Sequence, residues 1–211
     1  MDVVILRKSG NNKLFNLTSI FIALLGIAII VEVFFSYQNK IGNTLFAFAV
    51  LLSSWFLLQK SRFKLPKTIY NLIVIFIFLA MFLGKVCGFY KTFYYWDKFL
   101  HLISGMILAY IGYLIFYKLT REIDRKRLNP LLGVLFSLFF SISMAGVWEI
   151  YEFITDQLFG LDSQRYSLID TMGDIIAGTI GGILVTSRIY FFQKGNELRF
   201  IQKLLNEIDD K

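Results

Sequence analysis

The apolar residues of this chain fall in six long blocks instead of short amphipathic stripes, and few folds accept that pattern. A helix needs about 20 apolar residues to cross a hydrocarbon core of about 30 Å. Six stretches qualify: Leu14–Ser36, Ile41–Leu58, Ile69–Val86, Asp97–Tyr117, Pro130–Ile154 and Asp170–Phe192. Barrel strands would be shorter and would alternate in polarity, which these blocks do not. Helices satisfy their own backbone hydrogen bonds in lipid, so the expected fold is all-α, a polytopic bundle of six transmembrane helices. Composition agrees, since 56% of the 211 residues are hydrophobic and only 18% are charged. A soluble chain of this size exposes too much surface for so few charges.

The first block follows Arg7, Lys8 and Lys13, as a signal peptide would. It outruns a typical signal core and no small-x-small cleavage pattern closes it, so it reads as a retained helix. Orientation follows from the cations. The N-terminal arm, the second and fourth loops and the C-terminal tail hold 17 of the 22 Lys and Arg residues: Arg7, Lys8, Lys13, Lys60, Arg62, Lys64, Lys67, Lys118, Arg121, Arg125, Lys126, Arg127, Arg188, Lys194, Arg199, Lys203 and Lys211. The opposite side has only Lys40, Lys85, Lys91, Lys98 and Arg165. The positive-inside rule puts both termini in the cytoplasm, N-in and C-in. The net charge of +7 is therefore a topology signal, and no aromatic-basic motif points to nucleic acid.

Residues 1–192 read as a single transmembrane domain and 193–211 as a short cytoplasmic tail. Leu198, Ile201, Leu205 and Ile208 share one side of that tail, an amphipathic helix that lies on the bilayer or packs on the bundle. The single Cys87 has no internal disulfide partner and reads as a buried structural thiol. The run Phe89, Tyr90, Phe93, Tyr94, Tyr95, Trp96 has the character of an interfacial anchor at the outer boundary.

The acids run opposite to the cations. Asp97 and His101 open the fourth block, Glu149 and Glu152 close the fifth, and Asp170 and Asp174 open the sixth. Residues three or four apart share a helix face. Each helix thus projects two metal- or proton-capable groups in one direction, and the topology brings all three pairs to one depth in the outer leaflet. Gly105, Ala145, Gly178, Gly181 and Gly182 lie beside or below them, and small residues let membrane helices approach closely. Two blander roles compete. Asp97 and Asp170 stand where a carboxylate caps a helix N-terminus, and Ser167 to Asp170 has capping-box spacing. Lys85, Lys98 or Arg165 can form a structural ion-pair network with the acids. Neither accounts for Glu149 and Glu152, which stand at a helix C-terminus, the wrong end for an acid. Glu32, near the outer end of the first helix, is a further candidate.

Five carboxylates in apolar surroundings do not all stay ionised without cations. A divalent metal, shared protons or Lys/Arg partners can each compensate. Carboxylate pairs plus His in a helix-bundle core are the general plan of carboxylate-bridged metal sites. An oxygen-rich set with one imidazole suits Mn, Mg or Ca, with Fe or Zn also admissible. The expected metal set is Glu149, Glu152, Asp170 and Asp174. His101, oriented by Asp97, serves as general acid or base, and Arg165 clamps phosphate or makes a surface salt bridge.

At these residues the chain resembles YjdF-type bacterial membrane proteins and, more distantly, VanZ-like proteins, named after a teicoplanin-resistance factor. The resemblance rests on Asp97-Lys98-x-x-His101, Trp148-Glu149-x-x-Glu152, Arg165, and Asp170-Thr171-x-x-Asp174 followed by Gly178 and Gly182. Glu152 stands where the VanZ-like pattern has Gln and Asp174 where it has Asn, so this site is more acidic. The resemblance implies a multi-pass protein of the bacterial plasma membrane and a cell-envelope lipid or precursor context.

Two functions from different classes follow. One is a membrane-embedded, metal-dependent hydrolase or transferase acting on a lipid or lipid-linked phosphate. The other is an ion- or proton-coupled transporter or flippase, for which a homo-oligomer supplies the missing pathway. A non-catalytic partner protein, with the cluster fixing the fold, is the third.

Overall fold

Proline occurs at only two places in the chain, and both begin helices. Pro66 immediately precedes α3, and Pro130 takes the first position of α6, where its missing N–H would be unpaired anyway. Asn129 caps α6 by accepting the Leu131 N–H at 3.0 Å. The computed structural model describes residues 9–34, 38–60, 65–123 and 128–209. Among the described residues every regular element is helical: α1 (Ser9–Phe34), α2 (Gln38–Lys60), α3 (Lys67–Ile77), α4 (Phe89–Thr92), α5 (Trp96–Leu119), α6 (Pro130–Phe159), α7 (Leu168–Gln193) and α8 (Arg199–Asp209). Phe78–Val86 continues α3 in the wider π winding.

Among the described residues four helical stretches are long and apolar enough to cross a membrane: Lys67–Val86, Trp96–Leu119, Pro130–Phe159 and Leu168–Gln193. Leu17–Glu32 and Thr44–Ser54 are shorter apolar stretches. Of the orienting cations, Arg7, Lys8, Arg62, Lys64, Arg125, Lys126, Arg127 and Lys211 lie outside the described residues, as does Ser36 at the end of the first expected span.

One helix end differs from its expected place. The fifth block does not end at Ile154, because α6 runs on to Phe159 and stops only at Gly160, whose φ of 63° is left-handed. Within the extra turn the Thr155 hydroxyl is satisfied on the Tyr151 carbonyl at 3.0 Å, so a polar residue there does not end the helix. Glu149 and Glu152 are therefore interior helix residues, not acids at a C-terminus. Cys87 is likewise exposed, not a buried thiol, since it follows the last π turn at the surface.

The described residues divide into two compact units, one within Met1–Tyr94 and Glu207–Lys211, the other within Tyr95–Asn206. In the first, Leu25, Ala47, Leu51, Tyr70, Val74 and Val86 form a core. The Glu207 carboxylate accepts the Thr68 N–H and hydroxyl at 2.9 and 2.7 Å, covering the first turn of α3. In the tail helix Ile201, Leu204, Leu205 and Ile208 are all buried, so packing against protein accounts for its apolar stripe.

The second unit is held by backbone proximity. Gly105 of α5 lies directly against the Gly178 carbonyl of α7, and Gly181 of α7 against the Leu102 carbonyl of α5, where no side chain fits. Gly146, on α6, faces open space within 4 Å. Gly181→Ala should therefore lower stability by about 1–3 kcal/mol or more, because the obstacle is backbone and does not give way. Gly146→Ala should be neutral or slightly stabilising. Melting of both variants in detergent checks this, and equal midpoints would contradict so close an α5–α7 approach.

Candidate functional site

Three four-residue stripes build the site. On α6, the Ser137 hydroxyl donates to the Ala109 carbonyl of α5 and the Ser141 hydroxyl to the Gly105 carbonyl at 2.9 Å. Each step of four forward on α6 is a step of four back on α5, so the two helices are antiparallel. The next steps bring Ala145 level with His101 and Glu149 level with Asp97. The same ladder runs between α6 and α7. A side-chain carbon on Gly182 would meet the Ser141 hydroxyl at 3.0 Å, and one on Gly178 would meet the Ala145 methyl at 3.2 Å. One step further, Glu149 meets Asp174. Small residues thus hold the three helices together up to the layer where the charged groups begin.

In that layer His101, Glu149 and Asp174 each offer one ligand atom within 4.8 Å of the others, and Asp97, Asp170 and Asp174 do the same. Asp174 belongs to both sets. Exposure is 7% for His101, 4% for Glu149, 8% for Asp170 and 2% for Asp174, so these are interior polar groups that need partners. His101 Nε2 lies 3.7 Å from Glu149 Oε1 and 3.9 Å from Asp97 Oδ1, beyond hydrogen-bond length to either. Two ligands at about 2.1 Å from one ion stand roughly 3.0–3.5 Å apart, close to the His101–Glu149 separation. Glu149 Oε2 accepts from Gln164 Nε2 at 3.1 Å, while Oε1 has no hydrogen-bond partner among the described residues.

The second set carries its own cation. Lys98 Nζ donates to Asp170 Oδ1 at 2.9 Å and to Asp174 Oδ1 at 3.3 Å. Arg165 approaches Asp170 Oδ1 at 3.7 Å and Asp97 Oδ2 at 4.0 Å. The ion-pair role anticipated for Lys98 and Arg165 is thus real, whereas Lys85 lies over the Phe46 ring, 5.3 Å from its centroid. The cap at Ser167 is half of a capping box. Its hydroxyl accepts the Asp170 N–H at 3.3 Å, but the Asp170 carboxylate turns to Lys98 and the Ser167 N–H goes to the Gln164 carbonyl.

Glu152 lies in neither ligand set, and the Trp148 indole donates to it at 2.9 Å. Glu32 belongs to the first unit, where the Thr44 hydroxyl donates to it at 2.8 Å. Two residues without a motif complete the site. Asp156 accepts the Ser163 and Gln164 N–H groups at 3.0 Å each, folding the α6–α7 loop back so that the Gln164 amide reaches Glu149. Arg165 and Tyr166 then take left-handed backbone, φ 51° and 48°, a strained pairing for residues with side chains. An acid shortly before a polar loop was the only available signal for Asp156, and no spacing rule singles out Gln164. Around this loop Leu158, Phe159, Tyr166, Leu168 and Ile169 are exposed.

No solved structure matches the chain. An uncharacterized protein of Thermotoga maritima is 27% identical over 177 residues, covering 82% of this chain and 88% of that protein. The DUF2238 family, described as a predicted membrane protein, matches residues 17–195. With four membrane-length apolar helices among the described residues and a match across most of its length, the chain belongs to the DUF2238 family of membrane proteins.

Proposed function

We propose that this protein crosses the bacterial plasma membrane six times with both termini in the cytoplasm, and that its cluster holds a divalent cation used in hydrolysis or transfer at a lipid or lipid-linked phosphate. The observation that carries the reading is Glu149 Oε1, a buried carboxylate oxygen with no hydrogen-bond partner among the described residues, facing His101 Nε2 at 3.7 Å. Charge supports it as well. Asp97, Asp170 and Asp174 face Lys98 and Arg165 while Glu149 lies beside His101, so these four acids exceed the two cations by two negative charges, which one divalent ion would balance.

His101, Glu149 and Asp174 form the cation-holding set in this reading, with Gln164 fixing the Glu149 carboxylate. A bound divalent ion would supply Lewis-acid polarisation of a phosphoryl oxygen and activation of water. Lys98 and Arg165 bind the remaining phosphate oxygens, Arg165 with the planar fork suited to them. With the imidazole engaged, the proton-accepting role passes to Asp97, which stands between His101 and Arg165. The exposed apolar residues of the α6–α7 loop suit an amphiphilic substrate, and the likeness to YjdF-type and VanZ-like proteins points to the cell envelope. The transporter reading is less well served. Beneath the cluster, backbones touch at Gly105, Gly178 and Gly181, and the Ser137 and Ser141 hydroxyls are engaged by carbonyls.

Purified protein incubated with Mn²⁺, Mg²⁺ or Zn²⁺ and desalted should retain a divalent ion by elemental analysis. Glu149→Gln should weaken retention by about 100-fold or more, since loss of even an outer-shell partner weakens metal binding by about 10–100-fold. A folded wild type that retains none of them under any loading condition removes the metal reading. Release of inorganic phosphate from short-chain lipid phosphates should fall in parallel in the variant.

Topology has its own test. Alkaline phosphatase fused after Asp162 should be active and the same fusion after Lys211 inactive. Green fluorescent protein at those sites should give the opposite pattern, and a reversed result would invert the orientation.

A further inference from the structure

Two ligand sets that share Asp174 form the outline of a two-cation site, in which neighbouring ions stand about 3.5–4 Å apart and share a carboxylate. The second position is occupied by the chain itself. Lys98 Nζ sits on Asp170 Oδ1 and Asp174 Oδ1 at 2.9 and 3.3 Å. Its route there is built into α7: a side-chain carbon on Gly173 would meet Lys98 Cε at 2.9 Å and Nζ at 3.2 Å. Glycine at 173 therefore leaves the notch through which the lysine stem crosses the helix. Each set also keeps one buried oxygen with no hydrogen-bond partner among the described residues, Glu149 Oε1 in the first and Asp170 Oδ2 in the second. Both point to cation sites, and only the second has an ammonium in place.

We infer that Lys98 is a resident second cation, so that the site takes one divalent ion at His101, Glu149 and Asp174 while the Lys98 ammonium stands where a second metal would bind. The inference rests on the metal reading above and specifies its stoichiometry. The ammonium neutralises the Asp170 and Asp174 carboxylates and repels a second divalent ion. It also leaves a fixed positive charge, on a flexible stem 26% exposed, to meet a phosphate oxygen beside the metal. Arg165, longer and half-exposed at the loop, approaches the same set from outside and does not fill it.

Replacing the ammonium by a neutral side chain of similar length should open the second position. Wild-type protein loaded with Mn²⁺ should hold about one ion per chain and give an uncoupled six-line electron paramagnetic resonance signal. Lys98→Met should hold about two and give an exchange-coupled spectrum, whereas Lys98→Arg should stay at about one. Gly173→Ala, which crowds the lysine stem without removing its charge, should move the ratio toward that of Lys98→Met and serves if that variant does not fold. A wild type holding two ions, or a Lys98→Met and Gly173→Ala pair both remaining at one, overturns the inference and leaves the metal reading intact. A wild type holding none overturns both.

Discussion

The contact of α5 and α7 at Gly105 and Gly178 is the constraint on which the second unit depends. Membrane helices gain little from apolar contact with each other, because lipid is as apolar as leucine. What holds them is close van der Waals packing and hydrogen bonds that only small residues permit. Here the packing is tight enough for a glycine to meet a carbonyl, and Gly181 against Leu102 repeats the arrangement. Serines on α6 lock the third helix to α5 through its carbonyls. The register set by these contacts decides which side chains meet a turn later.

That turn is where the interior becomes charged. His101 and Asp174 come one helical step after Gly105 and Gly178, and Glu149 one step after Ala145. Carboxylates buried this deeply are stable only with compensation, and an uncompensated buried charge is strongly destabilising. Lys98 and Arg165 supply part of that compensation and Gln164 hydrogen-bonds one oxygen of Glu149. Asp156 organises the loop that delivers both Gln164 and Arg165, which explains why an acid outside the ligand sets is buried. Two consecutive left-handed residues in that loop store strain, and strain of this kind persists where surrounding contacts fix the backbone.

Much of this was legible in the residues. The long apolar blocks, the stripes of four in Asp97–His101–Gly105, Ala145–Glu149 and Asp170–Asp174–Gly178–Gly182, and the expectation that these faces meet all follow from the 3.6-residue period. The end of α6 was not legible. Thr155 and Asp156 look like a helix terminus by polarity, yet the threonine hydroxyl is satisfied on the Tyr151 carbonyl of its own helix, and α6 ends only at a left-handed glycine five residues on.

By itself the sequence determined the helical blocks, their amphipathic exceptions and the set of side chains capable of chemistry, because helix periodicity and lipid solvation act locally. Only the tertiary structure decided how those side chains divide. Lys98 lies three residues from His101, so spacing puts it near the site face but does not say which acids it meets. The gap over Gly173 brings it between Asp170 and Asp174, while the α5–α6 register turns His101 toward Glu149 and leaves Glu152 to Trp148. Contacts between distant helices depend on interhelical distance and register, which no local pattern encodes.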